Sequence, residues 1–497
     1  MNEYWIGLDI GTSSIKAALF DNTGSAVALA ARPVTMYSPQ PGWAEQNPLE
    51  WWQAVQEVLR QVLQAVNPAH VVAIGLAGQC PSQVLVDQQG QPLGRALIWR
   101  DQRAQAEVKW INENLEPAQA MKWTGSYFTD GASLPPARLL WLKTHRHQDW
   151  ARTRAIVQPK DFIGQCLTGV PGTDVYSSYC LVDPATASYH PDFFHFLDVP
   201  LERLPPVHPP TATLGRVSAA AARLTGLPSG TPVIIGTIDA WCDSLAGGAI
   251  FPGQAVDVCG TSEFICLGCP PHPGGNGVFA GQLDPQSCFV GGPTQAGAES
   301  LRWLARSFYP EMASSMDFAR LEGEAAAAPA GCSGLVFLPY LDGERSPLWD
   351  STARAVFFGL TLEHGRPHYT RAVYEGVAFA VRHILETCQE VTGQSAQQVT
   401  LCGGGSASPF WNQIKADILN KPVLRSSTTA TTCLGAAMLA KTGVGLSPSI
   451  PDACRSMLRL SEALMPRPGQ VEKYEKNYRL YRSLYPALKG QFGILSD

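Results

Sequence analysis

The sequence predicts an α/β fold built from two similar domains, and two observations lead to this prediction. Helical patterns alternate with short apolar runs along both halves of the 497-residue chain, as is typical of α/β proteins. The segment LDIGTSS around Asp9 is also echoed by VDVCGTSEF around Asp257, at a separation that suits a duplicated fold. We therefore expect two related domains that flank a cleft, residues 1–249 and 250–497, divided near the linker-like segment AGGAIFPG and with a helical tail from about residue 447.

Helices are predicted where apolar residues recur at helical spacing between capping residues. Asn47 is a candidate N-cap, Pro48 suits the first helical position, and Glu50 completes the pattern of a capping box. The apolar residues that follow at this spacing are Trp52, Val55, Leu59, Val62 and Val66. Two further helices are predicted over residues 373–391 and 431–442, each ended by a glycine. The strand-like runs are HVVAIGLAG, TPVIIGTID and QVTLCGGGS.

Composition and charge limit the kinds of molecule that the protein is expected to bind and the compartment in which it is expected to work. The chain carries 37 basic and 42 acidic residues, a net charge of −5, without a Lys/Arg cluster, which argues against nucleic acid and anionic membranes as partners. No apolar run reaches roughly 18 residues and no basic-then-apolar leader is visible, so a cytoplasmic protein is expected. The 13 irregularly spaced cysteines suit a reducing compartment. Cys266, Cys269 and His272 have metal-ligand spacing but no second pair, so structural zinc is not expected.

The turn after Asp9 has the composition of a phosphate-binding loop. A hairpin turn of Gly, Thr and Ser offers several backbone N–H groups and hydroxyls to phosphate oxygens. Asp9 is placed to hold a hydrated magnesium ion against the same oxygens. On these residues alone, a plain glycine-containing turn with Asp9 as a turn former is equally compatible. Asp239 ends the apolar run VIIGTID before a predicted helix, so by itself it is open to interpretation as an N-cap.

Ten motifs in a fixed order give the chain a family resemblance. They are GLDIGTSSIKAALFD, GLAGQCPSQVLVDQQGQPL, LIWRDQRA, PKDFIGQCLTG, GTIDAWCDSLAGG, CGTSEF, AGAESLRWLAR, LPYLDGERSPLWD, FFGLTLEHGRPHYTRAVYEGVAF and LCGGGSASPFWNQIKADILNKPV. From residue 6 to about residue 441 the chain resembles the FGGY family of carbohydrate kinases, members of the actin-like ATPase superfamily. The resemblance implies two duplicated domains of the ribonuclease H-like fold. Within the family, YLDGERSP, GGGSASPFW and the pair Gly78 and Gln79 are most similar to xylulose kinases, with gluconate kinases close behind.

The resemblance also implies roles for individual residues. The nucleotide-binding positions of the family correspond to Gly11, Thr12, Ser13, Lys16, Gly260, Thr261, Gly297, Gly404 and Gly405. Residues 11–13 (the 11–13 loop) and 260–261 (the 260–261 loop) would bind phosphates, since glycine lets a phosphate or an adenine approach the backbone closely. Asp9 corresponds to the carboxylate that positions magnesium. Asp239 corresponds to the base that accepts the proton of the attacking sugar hydroxyl.

The predicted sugar pocket departs from the pattern of the xylulose kinases. Those kinases usually carry Met-His after the Gly-Gln pair, whereas this chain has Cys80 and Pro81, so an imidazole that would bond a sugar hydroxyl is missing. Arg138 stands where the family generally has Lys, which preserves the charge. The remaining predicted pocket residues are Gln79, Trp99 and Asp101. Trp99 could equally belong to the core.

The expected function is the ATP- and magnesium-dependent phosphorylation of a small sugar, at the terminal hydroxyl of D-xylulose or a similar pentulose. Another ketose, a polyol or an aldonate, including ribulose, a tetritol or gluconate, is the alternative within this class. A nucleotide-binding regulator or chaperone-like ATPase is the alternative outside it, but Asp239 and the GQCPSQ segment would have no evident task there. A homodimer is implied by the family resemblance alone.

Overall fold

The structure is a computed structural model that describes residues 3–126, 128, 131–312 and 316–495. Internal contacts divide the chain into two compact units. Unit 1 comprises Met1–Asp243 and Thr432–Met457, and unit 2 comprises Ser244–Thr431 and Leu458–Asp497. Neither unit is a single stretch of chain, because the chain passes from one to the other three times.

Strands and helices alternate in both units. The strands before residue 244 are β1 (Tyr4–Ile10), β2 (Ser14–Phe20), β3 (Ala26–Pro33), β4 (Glu45–Gln46), β5 (Val71–Gly78), β6 (Val84–Val86), β7 (Ala96–Leu97), β8 (Ala155–Val157), β9 (Thr173–Asp174), β10 (Val207–His208), β11 (Thr213–Arg216) and β12 (Pro232–Ile238). The later strands are β13 (Gln254–Cys259), β14 (Glu263–Cys269), β15 (Gly274–Gly275), β16 (Val278–Asp284), β17 (Ser287–Thr294), β18 (Val336–Leu338), β19 (Val356–Phe358), β20 (Gln398–Cys402) and β21 (Val423–Arg425).

The helices are numbered in the same way. Those that begin before residue 244 are α1 (Pro48–Val62), α2 (Gln105–Asn114), α3 (Pro117–Thr124), α4 (Pro135–His145), α5 (His147–Arg152), α6 (Pro159–Thr168), α7 (Pro191–Leu197), α8 (Ala219–Thr225) and α9 (Asp239–Gly247). The later helices are α10 (Ala298–Phe308), α11 (Phe318–Ala326), α12 (Arg366–Thr392), α13 (Pro409–Leu419), α14 (Thr431–Gly443), α15 (Ile450–Met457) and α16 (Pro468–Ile494). Within the described part of the chain, no helix combines the length and apolar character needed to cross a bilayer.

The two central sheets share one arrangement of five strands. Unit 1 has the order β11-β12-β5-β1-β2-β3, and unit 2 has the order β15-β16-β17-β14-β13-β20-β21. In unit 1, β1, β2 and β3 are antiparallel neighbours, β5 is parallel to β1, and β12 is parallel to β5. In unit 2, β13, β14 and β17 are antiparallel in the same way, and β20 and β21 continue in parallel. The predicted duplicated α/β fold is confirmed.

The three helices predicted from apolar spacing are present as α1, α12 and α14. The start of α1 differs in detail from the predicted capping box. Asn47 Oδ1 accepts the Leu49 N–H at 3.1 Å, whereas Glu50 is engaged by the Tyr37 hydroxyl at 2.6 Å. Glu50 Oε1 also accepts the side-chain amide of Asn47 at 3.4 Å, so Glu50 contacts both the N-cap residue and Tyr37.

The two segments of the internal echo align at their Gly-Thr-Ser loops, but their aspartates are offset by one residue. Asp9 is the residue before the end of β1, whereas Asp257 lies two residues before the end of β13. Side chains alternate between the faces of a strand, so an offset of one residue reverses the face. Asp257 therefore corresponds to Leu8 and lies on the opposite strand face from the position of Asp9.

The division into units differs from the two continuous domains expected from the sequence. The first crossing follows Asp243, inside α9, and the segment Thr432–Met457 returns to unit 1. The reason is close packing of α14 on the strands of unit 1. A Cβ added to Gly7 on β1 would lie 1.8 Å from the Cys433 carbonyl oxygen, and one added to Gly75 on β5 would lie 1.9 Å from the Ala436 carbonyl oxygen.

Candidate active site

Asp9 and Lys16 face each other across the first hairpin of unit 1. They are register partners on β1 and β2, and Lys16 Nζ lies 3.5 Å from Asp9 Oδ2. Burial raises the pKa of Asp9 while Lys16 lowers it, and Asp9 in turn raises the pKa of Lys16. Asp9 is almost fully buried, yet its Oδ1 has no hydrogen-bond partner among the described residues. This oxygen is available to a ligand.

The 11–13 loop joins these two strands and is held by polar side chains. Gln46 Nε2 donates to the Thr12 carbonyl at 2.7 Å, and Trp99 Nε1 donates to Thr12 Oγ1 at 2.8 Å. The Thr12 hydroxyl donates to Gln79 Oε1 at 3.3 Å. Gln79 is itself buried and bonded to Gln46 at 2.7 Å. Gln79 and Trp99, two of the predicted pocket residues, therefore hold the 11–13 loop in place through hydrogen bonds to Thr12.

Asp239 stands at the same edge of the sheet. It directly follows β12, whose carboxyl end lies beside those of β5 and β1. Asp239 Oδ1 accepts the Ala240 N–H at 2.7 Å. Burial and the carboxylates of Asp9 and Asp243 raise the pKa of Asp239 to about 7. A carboxyl group that titrates near neutrality is suited to accept a proton in catalysis.

Asp243 is a site residue that the sequence analysis did not identify. It lies one helical turn after Asp239 on α9, and Thr432 Oγ1 donates to its Oδ1 at 3.0 Å. It is the second carboxylate, after that of Asp9, that raises the pKa of Asp239. The signal that could have found it is the i, i+4 spacing of Asp239 and Asp243, which places both on one helix face.

Asp101, a predicted pocket residue, is buried inside unit 1. The Arg103 guanidinium binds both of its carboxylate oxygens at 2.6–2.9 Å, and Oδ2 also accepts the Ala44 N–H at 2.6 Å. The side chain of Asp101 is 0% exposed. Asp101 thus anchors Arg103 and the Ala44 backbone, and its contact with a sugar stays a prediction.

The buried guanidinium of Arg138 connects the two segments of the predicted sugar pocket. Its Nη1 donates to the Pro81 carbonyl at 3.0 Å. Its Nη2 donates to the carbonyls of Trp99 and Asp101 at 2.9 and 3.1 Å. Burial lowers the pKa of Arg138 to about 10 although Asp101 raises it, so the group stays charged at neutral pH and can hold these backbone segments together.

Cys80 lies against a segment that the sequence analysis did not include in the site. Its Sγ is 3.4 Å from the Ser177 carbonyl oxygen. Burial raises the pKa of the Cys80 thiol, and the carboxylates of Asp174 and Asp239 raise it further. The thiol is therefore neutral.

A buried ion cluster fixes the segment beside Cys80. Lys160 Nζ lies 2.6 Å from Asp161 Oδ1 and 3.0 Å from Asp174 Oδ1. Asp174 Oδ2 also accepts the Thr237 hydroxyl at 2.8 Å, two residues before Asp239. Lys160 and Asp161 lie within the motif PKDFIGQCLTG, but their partner Asp174 is too distant in sequence to be paired with them by spacing.

Unit 2 carries the 260–261 loop at the turn between β13 and β14. The first N–H groups of α10 bond this loop, with Ala298 N donating to the Gly260 carbonyl and Glu299 N to the Thr261 carbonyl, both at 3.1 Å. A Cβ added to Gly297 would lie 2.7 Å from the Thr261 carbonyl oxygen. Gly297 is therefore required by the contact between the loop and α10.

The glycine turn Gly404–Ala407 follows β20 in the same unit. A Cβ added to Gly404 would meet no described atom within 4 Å, whereas one added to Gly405 would lie 2.3 Å from Cys259 Sγ. Gly260 is also open, with its nearest contact at 3.5 Å. Gly404 and Gly260 thus expose backbone that a ligand can approach closely, while Gly405 is needed for packing.

The residues of unit 1 fit a hydrated cation. The unbonded, buried Asp9 Oδ1 is a suitable acceptor for a water of such an ion. Across the described residues, no group of three or more His, Cys, Asp or Glu side chains is arranged to hold a metal ion. Magnesium usually keeps several of its waters and needs only one or two carboxylates beside substrate phosphates, which is compatible with Asp9.

Comparison with known proteins identifies the family. Residues 4–245 match the N-terminal domain and residues 255–443 the C-terminal domain of the FGGY family of carbohydrate kinases. A xylulose kinase of Staphylococcus epidermidis is 28% identical over 501 residues, 98% of each chain. The L-xylulose/3-keto-L-gulonate kinase of Escherichia coli is 30% identical over 506 residues, 99% of this chain and 98% of its own. The crystal structure of a gluconate kinase from Lactobacillus acidophilus has a TM-score of 0.89 at 26% identity and covers 100% of both chains.

The chain therefore belongs to the FGGY family of carbohydrate kinases, and the resemblance inferred from its motifs is confirmed. Its fold is that of the actin-like ATPases to which these sugar kinases belong. The protein is a sugar kinase, for which ATP is the phosphoryl donor, and its similarity to xylulose kinases is borne out by the relatives.

Proposed function

We propose that the protein transfers the γ-phosphoryl group of ATP to the terminal hydroxyl of D-xylulose or a similar pentulose. The observation that carries this proposal is the grouping of Asp9, Lys16 and Asp239 at one edge of the sheet of unit 1, with the pKa of Asp239 raised to about 7. Relatives named xylulose kinase support a pentulose as the substrate.

In this reaction Asp239 accepts the proton of the sugar hydroxyl as the hydroxyl oxygen attacks the γ-phosphorus. The new O–P bond forms while the bond from the γ-phosphorus to the β–γ bridging oxygen breaks, and ADP leaves with that electron pair. Lys16 offsets part of the negative charge that Asp9 and the phosphates bring together. Asp9 would hold magnesium through water, and the ion would supply further neutralisation of phosphate charge.

The nucleotide is proposed to contact the backbone where glycines leave it open. The 11–13 loop and the 260–261 loop bind phosphates, and Gly404 borders the base. Support comes from the free space at Gly260 and Gly404. Gly297 and Gly405 act indirectly, because each packs against a neighbouring backbone or side chain and so keeps these segments in place.

The sugar is proposed to lie beside Asp239, Cys80 and Pro81. The strand register supports this assignment, because Ile238, next to Asp239, pairs with Gly78, two residues before Cys80. Arg138 holds the Pro81 carbonyl at 3.0 Å. A second candidate substrate class is an aldonate or another ketose. Two observations favour it. Cys80 and Pro81 replace the Met-His of xylulose kinases, and the fold is similar to that of a gluconate kinase, with a TM-score of 0.89.

A coupled assay of ADP release across a panel of sugars tests the proposed function. The panel contains D-xylulose, L-xylulose, ribulose, tetritols and gluconate, each with ATP and magnesium. ADP release is expected to be slow with ATP alone and to rise many-fold with one pentulose. Equal rates with and without every sugar would instead identify a regulator or a simple ATPase. A homodimer and a cytoplasmic location remain predictions, to be tested by light scattering and by cell fractionation.

A further inference from the structure

A second buried ion cluster lies in unit 2 and takes no part in the proposed phosphoryl transfer. It consists of Asp257, Glu263 and Lys415, here called the Lys415 cluster. Lys415 Nζ lies 2.7 Å from Asp257 Oδ2 and also bonds Glu263 Oε1. The three side chains are at most 2% exposed, so the cluster is closed to solvent in this structure.

The Lys415 cluster connects the two segments of unit 2 that are proposed to contact the nucleotide. Glu263 is the first residue of β14 and follows the 260–261 loop. Lys415 lies on α13, which begins directly after the Gly404–Ala407 turn. The same two segments also touch through Gly405, whose added Cβ would lie 2.3 Å from Cys259 Sγ. One ammonium group thus bridges the hairpin of the phosphate loop and the helix of the glycine turn.

Stability alone is a weak explanation for this cluster. It places two carboxylates against one ammonium, and Asp257 Oδ1 and Glu263 Oε2 are buried without a hydrogen-bond partner among the described residues. Burial raises the pKa of Glu263, Asp257 raises it further, and Lys415 lowers it. Apolar residues of similar volume often stabilise an interior as well as buried ions do. A role that depends on the position of the three groups is a better account.

We propose that Lys415 is a positioning residue for the nucleotide, which ties α13 to β13 and β14 and so sets the spacing between the 260–261 loop and the Gly404–Ala407 turn. The inference rests on the proposed function, in which ATP contacts both segments. The affinity for a nucleotide that contacts both segments depends on the spacing between them. The sugar does not, because the residues proposed to bind it all belong to unit 1.

The substitution Lys415→Met tests this role by removing the charge and keeping the length of the side chain. We expect the KM for ATP and the Kd for ADP to rise about tenfold or more, while kcat and the KM for the sugar change less than about twofold. Lys441→Met is the matched control. Lys441 is also buried and bonds the Asn22 carbonyl and Ser456 Oγ at 3.2 and 3.1 Å in unit 1, so its loss should lower the Tm and leave both KM values unchanged.

A triple variant separates positioning from mere destabilisation, since Lys415→Met leaves two buried carboxylates unpaired. In Lys415→Met/Asp257→Asn/Glu263→Gln no charge remains, and we expect a higher Tm than in the single variant but a KM for ATP that is still raised. Recovery of normal ATP affinity in the triple variant, or equal losses for ATP and sugar, would overturn the positioning role. If the unmodified protein binds no ADP, the proposed function fails. If it binds ADP and the single variant binds it equally well, only the inference about Lys415 fails.

Discussion

At the scale of single residues, the proposed chemistry depends most on Asp239. Asp239→Asn keeps the size of the side chain and removes the proton acceptor. We expect kcat to fall about 10²-fold or more, with the Kd for ADP unchanged because the glycine segments of unit 2 are untouched. The measurement combines steady-state kinetics with calorimetric ADP binding. Asp192→Asn, an exposed carboxylate on α7, is the control, and near-normal turnover of Asp239→Asn would contradict the assignment.

The raised pKa of Asp239 makes a separate prediction about pH. The folded-state pKa of about 7 lies above the ordinary value of 3.8, and only the ionised carboxylate can accept the proton. The kcat/KM for the sugar should therefore be full above pH 7 and fall about tenfold per pH unit as the pH drops below it. A pH–rate profile measures this limb. A profile that is flat from pH 5 to pH 8, in a protein that stays folded, would show that Asp239 is not the group that limits the rate.

Pro81 offers a test of substrate preference at the same scale. Pro81→His would restore the imidazole that the xylulose kinases usually present. A hydrogen bond to a neutral hydroxyl contributes roughly 0.5–1.5 kcal/mol net, so the ratio of kcat/KM between D-xylulose and the best competing sugar should rise about two- to tenfold. The ratio is measured in both proteins. An unchanged ratio would show that this position does not discriminate, and equal losses on every sugar would show that Pro81 serves the backbone instead.

Residue types and motif positions singled out Asp9, Lys16 and Asp239, and the structure brings these residues together at one sheet edge. Their roles stay predictions. The motif positions did not indicate that the Asp101 carboxylate binds Arg103, because a carboxylate in a motif looks the same in the sequence whatever it contacts. Burial and hydrogen-bond saturation depend on distant segments of the chain. These properties therefore become visible only in the folded structure.

At the scale of elements, the open glycines of unit 2 provide a second test of nucleotide binding. Gly404→Ala adds a methyl group where no described atom lies within 4 Å, and in Gly260→Ala the nearest atom is at 3.5 Å. Both variants should fold normally, yet the methyl group would occupy space proposed for ATP. We expect the KM for ATP to rise about tenfold with little change in the KM for the sugar.

Gly323→Ala on α11 is the control for these glycines, because it is exposed and equally open. Calorimetric Kd values for ADP, compared with the Tm of each variant, separate a lost ligand contact from lost stability. Normal ADP affinity in both Gly404→Ala and Gly260→Ala would place the nucleotide elsewhere.

The paired hairpins show how far an element can be predicted from its sequence. The loop composition predicted a hairpin after Asp9 and the echo predicted a similar loop after Asp257, and both loops join antiparallel strands. The echo did not show that the two carboxylates occupy different faces, because a shift of one residue decides which face of a strand a side chain occupies. Asp257 is buried and is bound by Lys415, a partner 158 positions away in sequence. Neither local composition nor spacing carries that long-range pairing.

At the scale of the whole molecule, the order of segments along the chain does not indicate that Thr432–Met457 belongs to unit 1. The helix α14 was predicted correctly from its apolar run, but its packing on β1 and β5 was not. Small residues permit that packing, since a Cβ on Gly7 or Gly75 would collide with the backbone of α14. A glycine within an apolar strand signals close approach of some backbone, without indicating which segment approaches.

This packing makes the completeness of unit 1 testable. A fragment of residues 1–243 lacks α14 and α15 and would expose the apolar surface of β1 and β5 that α14 covers, so we expect no cooperative thermal transition. Residue 243 can be joined to residue 432 by a short Gly/Ser linker, because Thr432 Oγ1 lies 3.0 Å from Asp243 Oδ1. The joined fragment, residues 1–243 linked to 432–457, should unfold cooperatively when followed by circular dichroism. The same fragment with residues 432–457 in scrambled order is the control, and cooperative unfolding of that control or of residues 1–243 alone would show that α14 is not part of the folding unit.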